Sequence, residues 1–330
     1  MHSMRFTEKD SDSSLISHRC SLLSNPCSLS AILTKQKNPM RALAIPLAIL
    51  LTTISVNADQ KPSIVFRNLP KKTVDSLVLN VPQSNTIRLA QLKQTFSDLQ
   101  CKGGDLREQQ ADEGKNLLCT LPGKSTDTIL VLAHYEHEGK GTGAIDNWSG
   151  AIMLPFLYHA LTAVPRQQTF MLAALYGADG GKVLLNSMTH TQRHSLKAVI
   201  ALDALGLGPL RFYLRPNGSL PTFSETHLEA QLLQAAMDKG LKEPQSTIPG
   251  SWLRIDDTRD FRFIEIPAIL IHSVDKSKRD LPGSADDTSA AIDSDVYFED
   301  YTLLCNYLAE LDTLHKDQQS NPTPSARGRR

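Results

Sequence analysis

The strongest constraint on this chain is a repeated alternation between short, almost wholly apolar runs and segments with helical spacing. The runs Thr128–Ala133, Thr169–Leu175, Lys197–Leu202 and Pro267–His272 have no polar face. A strand tolerates that composition only when both of its faces are covered. Between the runs lie Ser149–Val164, closed by Pro165, a segment around Lys182–Ser187, and Glu225–Lys239, stopped by Gly240. Asp295–Leu314 follows as a long amphipathic helix, and an earlier one is expected around Arg88–Leu99 as part of an N-terminal elaboration. Strands alternating with helices predict the α/β class, with a mostly parallel mixed central sheet and helices on both faces. Asn116–Leu121 is separated from Thr128–Ala133 by the turn Pro122-Gly123-Lys124, so the two runs read as a hairpin feeding a buried strand.

The ends of the chain differ in character from this middle. Met40-Arg41 followed by apolar Ala42–Val56 and the small-residue pattern Val56-Asn57-Ala58 reads as a secretory signal peptide over residues 40–58. Residues 1–39 then stand as a non-native upstream extension, with Met40 as the start, and residues 316–330 as a polar, disordered tail. One domain, residues 59–315, remains. This reading places it outside the cytoplasm, periplasmic or extracellular, with no stable membrane span after cleavage. With 35 acidic and 35 basic residues the chain carries no net field toward nucleic acid or an anionic surface, which leaves a small molecule or peptide as the expected partner. Oligomeric state is not legible. Of the cysteines, Cys101 and Cys119 flank a polar stretch and can pair in an oxidising compartment, or they stay buried thiols like Cys305.

In an open α/β sheet the ligand site lies outside the carboxyl ends of the strands. The residues there are acidic: His134-Tyr135-Glu136 after the first run, Asp146-Asn147 in the next loop, Asp179 after the second run, and Asp203 after the third. A lone His at a strand end is ordinarily structural and a lone Asp before a helix ordinarily caps it. Taken together, one imidazole and two carboxylates, His134, Asp146 and Asp203, form a three-ligand set for zinc with an open position. Glu136 is the expected partner for the His134 ring. An unrelated α/β protein, with these groups only capping helices, is the bland alternative.

These residues carry a resemblance to metallopeptidase family twenty-eight, which includes bacterial leucyl-type aminopeptidases and glutaminyl cyclases. Its His-Tyr-Asp strand end, Gly-Ala-x-Asp-Asn-x-Ser-Gly loop, Glu-Glu pair and final Asp are similar here to His134-Tyr135-Glu136, Gly143–Gly150, Asp179-Gly180 and Ala201-Leu202-Asp203. Asp256-Asp257-Thr258, Phe261 and Ile266-Pro267-Ala268 extend the match. The resemblance implies a three-layer zinc-exopeptidase fold, a cis peptide between Asp146 and Asn147, metal ligands His134, Asp146 and Asp203, and Asp179 as general base.

It also implies a degraded second metal site. The family Glu falls at Gly180 and its distal His on or near Gly283, before Asp286-Asp287-Thr288, so one zinc ion is expected rather than two. Asp257, Asp260 and His272 are candidate substitute ligands. The resemblance therefore implies an aminopeptidase acting on peptide N-termini or aminoacyl compounds. A catalytically inactive homologue that binds peptide or metal, and a glutaminyl cyclase-like acyltransferase, stand beside it.

Overall fold

The computed structural model describes residues 65–111, 113–215, 220–248 and 250–313. The signal peptide, the upstream extension and the polar tail all lie outside the described residues. Four parallel strands form the middle of an eight-stranded sheet: β3 (Thr128–His134), β4 (Thr169–Leu175), β5 (Leu196–Leu202) and β8 (Ala268–His272). They lie in the spatial order β4-β3-β5-β8, and every residue of β3 is buried. Its alternate side chains enter two different cores. Ile129, Val131 and Ala133 pack on the face covered by α3 (Ser149–Leu161) and α8 (Ser294–Leu311), whereas Leu130 and Leu132 meet Leu184 and Phe261 from α4 (Gly180–Ser187) and α7 (Arg259–Phe263). Burial on both faces is why these strands read as continuous apolar runs rather than as alternating ones.

The expected hairpin between Asn116–Leu121 and Thr128–Ala133 does not form. Strand β2 (Lys115–Leu121) pairs antiparallel with β4, which lies between β2 and β3. Strand β2 is itself buried along Asn116–Cys119 and needs neighbours on both sides, so the connection passes the start of β4 instead of reversing tightly. At Gly123 that crossing is so close that an added Cβ would lie 2.2 Å from the Gln168 carbonyl oxygen. The actual hairpin partner of β2 is β1 (Leu106–Gln110), a polar edge strand. At the other edge β6 (Arg211–Tyr213) runs antiparallel to β8 and pairs with β7 (Gln245–Ser246).

The helical boundaries follow local chemistry. Ser84 caps α2 (Asn85–Asp98), Thr222 and Glu225 form a capping box on α6 (Phe223–Asp238), and Asp293 caps α8. Three short helices, α1 (Lys71–Val78), α5 (His190–Ser195) and α7, add to those expected. Among the described residues no helix is long and apolar enough to cross a membrane.

Cys101 and Cys119 are joined in a disulfide across 18 residues, tying the chain after α2 to β2, while Cys305 is a buried free thiol. Closing a loop of this length restricts the unfolded chain by an amount worth about 3 kcal/mol. Replacing both cysteines by Ala is therefore expected to lower stability by about that much. Urea unfolding of the double variant beside the oxidised wild type measures it, and coincident midpoints would contradict it.

Candidate metal centre

Chain order reverses its direction of travel beside β3: β4 is laid on one side of it and β5 on the other. The crevice at such a switch point opens beyond the carboxyl ends of β3 and β5. His134 is the last residue of β3 and Asp203 directly follows β5. Asp146 reaches the same place from the loop that precedes α3. Gly143 begins that loop at φ +60°, where its missing Cβ leaves room for the His137 ring, 2.3 Å from the point an added Cβ would occupy. The Asp146-Asn147 peptide is cis.

Buried polar groups hold the loop against the sheet. Asn147 Nδ2 donates to the Leu202 carbonyl at 2.8 Å, and its Oδ1 accepts from Gly150 N at 3.0 Å and Ala204 N at 3.3 Å. That side chain thereby fixes the backbone on both sides of Asp203. Asp287 accepts from Ile145 N at 2.6 Å, Asp146 N at 3.2 Å and Gly283 N at 2.8 Å. Arg88 donates to the carbonyls of Tyr135, Thr142 and Gly143, and burial pulls its guanidinium down to about 10. Neither Asp287 nor Arg88 stood out as a site residue in the sequence. An arginine at a buried helix position was the available signal for Arg88, and Asp287 offered only its place beside Thr288. Removing the Asp287 carboxylate leaves three backbone donors without their acceptor, so Asp287→Ala is expected to cost about 3 kcal/mol. A wild-type denaturation midpoint for that variant would refute the bracing role.

His134, Asp146 and Asp203, all buried, bring one donor atom each to within 4.8 Å of one another. His134 Nε2 faces Asp146 Oδ1 at 3.0 Å, and its Nδ1 faces Asp257 Oδ2 at 2.9 Å. Burial opposes charge on this imidazole, but the Asp257 carboxylate and the hydrogen bonds to Asp146 and Asp257 outweigh it and hold the ring well above the usual histidine range. Asp146 is opposed by burial yet held below the carboxylate range by His134. Asp203 is pushed well above that range by burial and by the neighbouring Asp146, Asp257 and Asp287 carboxylates. Its Oδ1 is buried and meets no hydrogen-bond partner. A divalent cation answers each of these conditions at once, since it supplies positive charge to the clustered carboxylates and a partner to the orphaned oxygen. One nitrogen and two carboxylate oxygens are ligands zinc accepts, so the residues present fit that ion.

Several expected roles are redistributed. Glu136 does not orient His134, because its Oε2 accepts from Gly177 N at 2.9 Å. Asp257 fills that place, meeting the ring Nδ1 and accepting from the His134 backbone N–H, so it serves the candidate ligand His134 rather than standing as a substitute ligand. Asp260 is turned aside toward Arg259 at 3.3 Å. His272 is also committed elsewhere: Nε2 lies 2.8 Å from Thr247 Oγ1, Nδ1 accepts from Val274 N at 3.1 Å, and the ring packs on Trp252. Burial lowers it to about 3. Asp179 precedes α4 as an exposed residue. It lines a cavity of about 410 Å³ that His134, Glu136, Asp146, Tyr176 and Arg254 also line.

Residues 116–299 match the pattern of Peptidase family M28. The chain belongs to this family. No curated protein matches the chain in sequence. Among solved structures, the zinc aminopeptidase BSAP from Bacillus subtilis is similar at 17% identity and a TM-score of 0.53, over 62% of this chain and 51% of that one. A glutaminyl cyclase from an Acidobacteriales bacterium is similar at 18% identity and a TM-score of 0.60, over 77% of this chain and 97% of that one. The Porphyromonas gingivalis glutaminyl cyclase gives 18%, 0.58, and coverage of 73% and 98%. The chain thus spans about half the length of the Bacillus aminopeptidase and nearly all of either cyclase, and at these identities the likeness is one of fold. Gly180 and Gly283, which stand where the family resemblance expects ligands of a second metal, are fixed by their surroundings. A Cβ at Gly180 would come within 2.9 Å of Leu175 Cβ, and Gly283 has φ +70°. Gly283 nevertheless lies beside the site, since an added Cβ there would be 3.6 Å from Asp146 Oδ2.

Proposed function

We propose that this M28 protein is a zinc-dependent exopeptidase of the aminopeptidase type, holding one zinc ion through His134, Asp146 and Asp203 and acting on peptide or aminoacyl substrates. The convergence of these three buried donors beside a cavity, with Asp203 Oδ1 left without a partner, carries the reading. Zinc, when bound, supplies a Lewis acid that polarises a carbonyl and makes water acidic near neutral pH. Asp257 fixes the His134 ring through Nδ1 and so would leave Nε2, on the Asp146 side, to hold the ion. Asp146 and Asp203 supply the negative charge. Asp179, on the cavity wall, takes the proton from the attacking water and returns it to the leaving amine.

Export is part of the same reading. The Cys101–Cys119 disulfide supports an oxidising compartment, periplasmic or extracellular. A second reading, in which the protein binds peptide or metal without turnover, is favoured by one observation: Asp179 is exposed and is one methylene shorter than the glutamate of the family pattern. Metal analysis of the purified protein together with hydrolysis of aminoacyl reporter substrates separates the two. About one zinc per chain with turnover is expected, zinc without turnover favours the second reading, and no zinc refutes both the metal assignment and the hydrolase. A glutaminyl substrate in the same series tests cyclisation directly.

A further inference from the structure

Beside Asp146, on the side where Gly283 stands, the structure places a cation of its own. Arg254 Nη1 lies 3.9 Å from Asp146 Oδ2, the carboxylate oxygen turned away from His134. This is the side on which Gly283 lies, since a Cβ added to Gly283 would be 3.3 Å from Arg254 Nη1 and 3.6 Å from Asp146 Oδ2. At 3.9 Å the pair is attracted but not hydrogen-bonded. No shorter ion pair is formed by this guanidinium among the described residues, and it lines the cavity with its side chain 45% exposed. His137 lines the same wall, with both ring nitrogens shielded from water and without a partner; Gly139 stands between the two side chains, an added Cβ there being 3.1 Å from Arg254 Nη1 and 3.1 Å from His137 Cε1.

We propose that Arg254 is a specificity-determining residue whose guanidinium receives a carboxylate of the substrate, so that the cavity selects short peptides bearing a free carboxylate. This deepens the exopeptidase reading and rests on it for the identity of the ligand as a peptide. A guanidinium is a planar fork of donors matched to a carboxylate, and here its donors are uncommitted. It repels an ammonium group. Apart from His134, His137 and Asp146, the other charged side chains of the cavity, Glu113, Glu136, Glu138 and Asp179, are carboxylates, which suit the ammonium end of a zwitterionic peptide. A cavity of about 410 Å³ has room for a dipeptide. The carboxylate can be the peptide's own C-terminus or the side chain of an acidic residue.

Calorimetric binding to the zinc-loaded protein distinguishes these sources without requiring turnover, using alanyl-alanine, alanyl-alanine amide and glutamyl-alanine amide as probes. Alanyl-alanine is expected to bind roughly tenfold more tightly than its amide if the C-terminus is received, and glutamyl-alanine amide roughly tenfold more tightly than alanyl-alanine amide if the side chain is. In Arg254→Gln that discrimination disappears while zinc content and thermal midpoint stay at wild-type values. Arg254→Lys retains part of it, and added salt weakens it in the wild type because the group is half exposed. Equal binding of all three probes, no binding of any, or discrimination surviving in Arg254→Gln would overturn the proposal. The hydrolase reading fails separately: peptides bound with the predicted preference but never cleaved would sink it and leave Arg254 in place.

Discussion

His134→Ala and Asp203→Ala are each expected to strip the protein of zinc and to abolish turnover with it. Two remaining donors hold the ion far less well than three, and even a partner outside the ligand set is worth about 10–100-fold in affinity, so a loss of more than about a hundredfold is expected for a ligand. The consequence for stability differs from that of an ordinary core substitution. Asp203 Oδ1 makes no hydrogen bond and burial disfavours its charge, so its removal breaks no hydrogen bond at that atom in the unloaded protein. The variant should therefore melt near the unloaded wild type and lose only the increment that zinc adds, about 2.7 kcal/mol at a hundredfold excess over its Kd. Asp257→Asn, by contrast, keeps all three donors and should bind zinc about 10–100-fold more weakly. Thermal melts with and without added zinc, read beside metal content, check both statements. Wild-type zinc content in Asp203→Ala would remove the basis of the metal assignment.

Asp179→Asn is expected to leave zinc bound and to lower kcat by about 10²–10⁴-fold, the range over which a positioned general base contributes. The amide is nearly the same size as the carboxylate but cannot take a proton at neutral pH. Asp179 is exposed before α4 and is absent from the cluster of converging donors, so the fold and the metal have no need of its charge. Asp179→Glu, which restores the longer side chain of the family pattern, separates reach from chemistry: an unchanged or higher kcat supports proton transfer at this position. Turnover in Asp179→Asn equal to wild type would assign the base elsewhere.

The legibility of the site follows the origin of its parts. His134 and Asp203 could be read because each ends or follows an apolar run, and a parallel sheet carries such ends to one edge. Asp146 was visible through its glycine-flanked loop. Asp257 appeared in the sequence only as one of several spare carboxylates, since its bond to His134 spans a separation of 123 residues. Glu136, two residues from His134, was the natural partner by proximity, yet consecutive residues after a strand diverge, and it turned to Gly177 instead. Arg254 left no trace at all, because it meets Asp146 across a separation of more than a hundred residues, beside the open space at Gly283.

The sequence by itself determined the α/β class, the four central strands, most of the helices and the acidic character of the strand ends, because hydrophobic periodicity and turn chemistry are local properties that burial imposes on every such segment. Strands β1 and β7 and helix α1, polar, short or both, depend on the neighbours they lie against and were not separable from loop. Only the tertiary structure decided that β4 lies between β2 and β3, that Asp257 rather than Glu136 meets the His134 ring, and that Arg254 faces Asp146. These are contacts between distant segments. Their energies depend on three-dimensional packing and on charges brought together by the fold, which no run of neighbouring residues encodes.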